Sequence, residues 1–181
     1  TQLLKYKNFK STLNSQKHMN RQSKNYFPSH SYAQTNIQLY NQLYSLNIDE
    51  EKFIQLKKAY DLCIKVFSGR YRANGKPFIS HLVGTASIIA EHGGCTDDVI
   101  AGLLHAIYSQ SQLQLIKSGH HYLQTQMIGN LVGEKINRLL IDYNKLPWDS
   151  NSIATIEANC LTCSSLQKRI LLKRLANELE D

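Results

Sequence analysis

The chain has 181 residues, 42% apolar, 19% charged and 9% aromatic, with nine Gly, three Pro, four Cys and a net charge of +7. That length suits one domain of ordinary size plus a tail, with a core that needs no covalent staples, and four cysteines are too few for a small disulfide-built secreted fold. No apolar run approaches the roughly 20 residues of a membrane span, so a soluble protein with no membrane partner is expected.

Residues 1–30 carry Lys5, Lys7, Lys10, Lys17, Arg21 and Lys24 and no acid, whereas from residue 31 onward fifteen Lys and Arg face fourteen Asp and Glu. The basic pI of 9.2 is therefore a property of this arm. Contact with nucleic acid or an acidic partner is expected only through it. Rich in Asn, Gln, Ser and Lys and without apolar periodicity, residues 1–31 read as a disordered arm. An organelle-targeting leader is the alternative to a cytoplasmic location, and the single Arg counts against it. The chain stops at Asp181 inside a predicted helix, as a fragment with a truncated C-terminus would.

From residue 32 to 181 the periodicity is helical. Tyr32 to Leu46 spaces Ile37, Tyr40, Leu43, Tyr44 and Leu46 by three or four residues. Asp49, Glu50 and Glu51 open a second helix, whose stripe of Phe53, Leu56, Ala59, Tyr60, Cys63, Val66 and Phe67 ends at Gly69. A polar turn, residues 70–77, carries Asn-Gly and Lys-Pro pairs. Helices follow over His81–Glu91 and, capped by Thr96-Asp97-Asp98, over Val99–Tyr108. Residues 109–125 read as irregular. Leu131–Leu146 is helical and stopped by Pro147, residues 149–164 read as a loop with at most one helical turn, and Leu166–Leu179 forms a last helix. No segment sustains strand alternation, so the expected fold is a single all-α helical bundle.

One pairing carries chemistry. If the helices at 81–91 and 97–108 form an antiparallel hairpin turning near Gly94, a rise of about 1.5 Å per residue brings His81 and His105 within one helical turn of each other. Two imidazoles on adjacent helices at the mouth of a bundle are the start of a metal site; the plain alternative is a hydrogen-bonded core histidine.

The strings R-A-N-G-K-P-F-I-S-H-L (72–82) and I-A-G-L-L-H-A (100–106) resemble the HD-domain phosphohydrolases, and within them the (p)ppGpp hydrolase domain of the RelA/SpoT family. Residues 132–146 and 171–181 extend the resemblance, in the same order, to that family's T-K-L and K-L-A-D-R-L-H-N segments. The string G-K-P-F-I-S-H-L-V-G-T-A-S with L-L-H-A is also similar to stand-alone HD-like domains carrying His-Ala where the family has His-Asp. The resemblance implies an Mn²⁺ held by His81, His105, an aspartate at Ala106 and a late aspartate at Asn177, with a Glu-Asp pair at Ser109 and Gln110 assisting the attacking water. All four acidic positions are neutral here. Manganese prefers carboxylate oxygens, and without the metal there is neither an activated water nor a Lewis acid. No catalytic residue and no cofactor are therefore expected.

The resemblance also places Arg72 against a guanine base and the Asn74-Gly75-Lys76-Pro77 turn around that pocket, while Lys76, Arg70 and Lys173 could neutralise phosphates and Tyr108 could donate into the pocket. The plain alternative is surface cations beside a tight turn. Cys160 and Cys163 have zinc-ligand spacing without a second pair. Three readings stand: a non-hydrolytic HD-like module binding a nucleotide or other phosphorylated small molecule; an active phosphohydrolase using Mn²⁺ or another divalent metal with replacement ligands from His120, His121 or Asp142; and a helical scaffold that binds a partner.

Overall fold

In the computed structural model, which describes residues 32–110 and 121–181, side-chain caps mark where several helices begin. Thr35 and Gln38 form a capping box at α1 (Asn36–Ser45), and Asp49 accepts from the Lys52 amide at the start of α2 (Glu50–Phe67), whose first turn also carries Glu50 and Glu51. Then come α3 (Phe78–Glu91), α4 (Thr96–Leu103), the single turn α5 (Ile107–Gln110), α6 (His121–Val132), α7 (Glu134–Lys145), α8 (Ser150–Asn159), a 3₁₀ turn (Cys160–Thr162) and α9 (Ser165–Glu180). A second capping box, Ser164 with Gln167, opens α9. Among the described residues there is no strand beyond the isolated bridge Tyr71–Pro77, and no helix is long and apolar enough to cross a membrane.

Four sequence expectations are corrected. The helix expected over 131–146 is divided at Gly133, whose φ of 84° is left-handed and ends α6 before α7 starts. The expected 149–164 loop contains the ten-residue α8: Asp149 accepts from the Asn151 and Ser152 amides, but none of its residues is buried, so no apolar stripe announces it. The helix expected through Tyr108 breaks after Leu103, leaving His105 in a turn between α4 and α5. The stretch 109–125, read as irregular, is helical at residues 109–110 (α5) and 121–125 (α6), while residues 111–120 and 1–31 lie outside the described residues.

The core is built around α3, which packs chiefly against α4 and α9 and also against α1 and α2. Every residue of α3 from His81 to Ala90 is buried. Leu82, Val83, Ala86 and Ile89 are fully enclosed with Val99, Ile100 and Leu103 of α4. Each large aliphatic side chain buried this way contributes about 1.5–3 kcal/mol. Phe67 and Phe78 stack at 4.9 Å and close the α2 end of this core against α3.

Charge organises the opposite end of α3. Asp97 and Asp98 sit in the first turn of α4, both buried. Asp97 pairs with Lys52 of α2 and Lys135 of α7, each at 2.7 Å. Asp98 accepts from Lys173 at 2.6 Å and from Arg169 at 2.9 Å, both on α9. Lys173, expected to neutralise a ligand phosphate, is completely buried and also donates to the Arg169 carbonyl, so it holds α9 to α4 instead of reaching a ligand. Burial pushes the Asp98 carboxyl up, but the hydrogen bonds and charge from Lys173, with help from Cys95 and Arg169, outweigh it and leave the pKa below the ordinary 3.8.

A folded-state pKa below the unfolded one means that Asp98 contributes stability above pH 3.8 that is lost as pH falls through the lower folded value. Asp98→Ala strands the Lys173 ammonium and should cost about 3–5 kcal/mol at neutral pH, on the order of 10 °C in Tm. Lys173→Met should cost less, because Asp98 keeps Arg169. Thermal unfolding followed from neutral to acid pH checks both, with the Asp98→Ala chain losing less further stability on acidification than the wild type.

Candidate functional site

The turn between α2 and α3 is tightly folded. The Arg72 amide donates to the Lys76 carbonyl at 2.8 Å, the Gly75 amide to the Arg72 carbonyl at 2.9 Å and the Lys76 amide to the Asn74 side-chain oxygen at 3.0 Å. Gly75 has a φ of 84°, which a residue with a Cβ adopts only with strain. Asn74 and Gly75 therefore shape the turn, and it is Arg72 and Lys76 that it presents. The Arg72 guanidinium lies 5.8 Å from the Phe78 ring centroid, on the side where α3 begins.

One turn into α3, the buried His81 meets His105 with the two Nε2 atoms 3.3 Å apart. His105 Nδ1 is 2.7 Å from the Gly102 carbonyl. A carbonyl only accepts, so Nδ1 carries the proton and Nε2 presents a lone pair. Burial, and then the neighbouring His81, hold the His105 pKa at about 3, so its ring is neutral across the physiological range. His81 Nε2 then donates to His105, while His81 Nδ1 bonds Glu180 and lies 3.4 Å from Asp181 Oδ1.

Both acids come from the end of α9 and are already paired. Glu180, its side chain fully buried, bonds Lys76 as well as His81, and Asp181 bonds Arg72. A third cation completes the wall. Arg174 pairs with Glu178 at 3.0 Å, donates to the Tyr143 hydroxyl at 3.4 Å and lies 5.1 Å from the Trp148 ring; Tyr143 in turn packs on His105 at 5.8 Å. Burial pushes the Tyr143 phenol up, so it stays protonated. Asn177 is 8% exposed, and its side-chain oxygen has no partner.

Several expected participants are elsewhere. Tyr108 gives its hydroxyl to Asn137 of α7 instead of the pocket, and Arg70 is committed to the Gln110 carbonyl. Ser109 and Gln110 are exposed at the end of α5. Of the suggested replacement ligands, Asp142 pairs with Arg138 on α7, His121 opens α6, and His120 lies outside the described residues. Cys160 and Cys163 are half-buried free thiols, and no third metal-binding side chain among the described residues joins them.

Glu180, Asp181, Tyr143 and Arg174 were not singled out from the sequence. The partners of Glu180 and Asp181 lie 104 and 109 positions away in the chain, so no local pattern marks them.

The donor set can be tested against the Mn²⁺ that the resemblance implies. Facing Nε2 atoms with both Nδ1 atoms engaged is the orientation of ligating imidazoles. The carboxylates that manganese needs are missing from that side, with Ala106 buried beside His105 and Asn177 offering a neutral oxygen. His81, Glu180 and Asp181 do place three ligand atoms within 4.8 Å of one another. There, however, Lys76 and Arg72 already neutralise both carboxylates. The residues present do not fit Mn²⁺.

A family model described as an HD domain matches residues 59–171, which span α3, α4 and the start of α9. The chain is also 30% identical over 130 residues to the probable GTP diphosphokinase RSH3, chloroplastic, of Arabidopsis thaliana, a match covering 68% of this chain and 17% of that protein. It thus spans about a sixth of the length of this curated relative. With the histidine pair on its helical frame and these two matches, the chain belongs to the HD-domain family and is RelA/SpoT-like.

Proposed function

We propose that residues 32–181 form a non-hydrolytic HD-like module that binds a nucleotide or another phosphorylated small molecule. The observation that carries this reading is the charge of the site. Arg72 and Arg174 act on the buried, uncharged imidazole of His105, Lys76 reaches Glu180 beside His81, and no free carboxylate among these residues is left to hold a hard cation. Cations of this kind, arginine above all, are suited to phosphate oxygens, and a planar guanidinium also stacks on a base. The HD frame is phosphohydrolase-like, and the relative's printed name is that of a GTP diphosphokinase, which makes guanine nucleotides the first probes.

A thermal-shift titration of the full chain with guanine nucleotides, the tetraphosphate alarmone included, with and without Mn²⁺, tests the reading. A ligand at about 100 times its Kd adds roughly 2.7 kcal/mol, and each kcal/mol is worth about 2–4 °C in a chain of this size. The expected result is a metal-independent rise that Arg72→Ala abolishes. A rise that requires Mn²⁺ would favour a hydrolase, and no rise in either condition a partner-binding scaffold.

The retained imidazole pair favours one second reading, a metal-dependent phosphohydrolase ancestry in which loss of carboxylates removed the ion. Ala106→Asp combined with Asn177→Asp returns both acids to the positions that the family resemblance indicates. This variant should acquire Mn²⁺-dependent stabilisation of several °C where the wild type has none, measured by thermal shift and by metal content after dialysis. Stoichiometric Mn²⁺ in the dialysed wild type would overturn the binding-module reading.

A further inference from the structure

Each cation of the site is matched by an acid of α9: Arg72 by Asp181, Lys76 by Glu180 and Arg174 by Glu178. Two of these contacts, those of Asp181 and Glu180, join separate parts of the chain. Gly84 of α3 makes room for one of these acids. A Cβ at that position would lie 2.7 Å from Glu180 Cγ and 2.9 Å from its Cδ, so the Glu180 side chain lies in a cradle that any larger residue would fill. A phosphate offers the same cations more acceptor oxygens and more charge than one carboxylate, and it can take arginine bidentately.

We propose that Glu180 and Asp181 form a latch, occupying Lys76 and Arg72 as an internal anion that a phosphorylated ligand must displace, so that binding frees these two side chains from the turn before α3. This rests on the reading of the site as an anion-binding pocket and adds its regulation. The latch makes the site self-neutralised when empty, which lowers its appetite for stray anions. It also converts occupancy into the release of two ion pairs that join residues 180–181 to the turn before α3. No bond is made or broken; one set of ion pairs is exchanged for another.

The test uses the full chain with inorganic pyrophosphate as probe, followed by calorimetry and by amide hydrogen exchange of residues 177–181. Asp181→Asn frees Arg72 at a partly exposed position and leaves the core untouched. Gly84→Ala fills the cradle and expels Glu180 without removing a charge. A latch closed nine-tenths of the time raises the apparent Kd about tenfold, so each variant should bind pyrophosphate up to about tenfold more tightly than the wild type. Saturating pyrophosphate should speed exchange in the last turn of the wild type. Equal or weaker binding by both variants, or slower exchange on binding, would overturn the latch. If no form binds pyrophosphate while a nucleotide still gives an Arg72-dependent thermal shift, the latch fails and the proposed function survives. Tight binding by the variants with none by the wild type upholds the latch and removes the nucleotide-binding role from the unaltered chain.

Discussion

The buried pair between Asp98 and Lys173 is the contact on which the position of α9, and through it the site, depends. An ammonium with no exposure is tolerated only because a carboxylate lies 2.6 Å away, and Arg169 one turn earlier adds a second cation on the same acid. These contacts set the register of α9 against α4. Glu180 lies seven residues beyond Lys173, two helical turns along the same face, and so arrives at His81. Asp97, the other half of the acid pair, ties α2 and α7 to the same point, so one dipeptide at a helix start braces four helices.

The site at the other end of that lever is a charge-balanced version of an HD-domain pocket. The imidazole pair keeps the orientation that metal ligation requires, with each Nδ1 occupied. At the positions where the family resemblance implies metal-binding acids the chain has Ala106 and Asn177, and the acids that are present serve Lys76 and Arg72. The carboxylates beside His81 are thus paired with cations, and the facing Nε2 atoms have no carboxylate partner. The apolar contacts of α3 and α4 and the Asp97-Asp98 cluster hold the frame without using the residues at Ala106 and Asn177.

Much of this was readable from residue order. The helical periods of α1 to α4 and α9 are strong because each buries a face, and the hairpin argument placed His81 beside His105 from helix rise alone. The failures share a cause. α8 buries no residue, so it had no stripe to detect, and Gly133 splits a continuous apolar pattern through a backbone angle that spacing does not encode. Lys173 looked like a surface cation because burial of a lysine is decided by a partner 75 positions away in the chain.

By itself, the sequence determined the all-α class, the segregation of positive charge into the first thirty residues, the histidine pair and the loss of four acids at the positions implied by family resemblance. These are properties of composition, local period and motif. Only the tertiary structure decided which charges meet. It sent Lys173 inward to Asp98, engaged Arg72 and Lys76 with Asp181 and Glu180, and set Glu180 into the space that Gly84 leaves. Ion pairing acts over a few ångströms between residues about a hundred positions apart, and no local pattern records that distance.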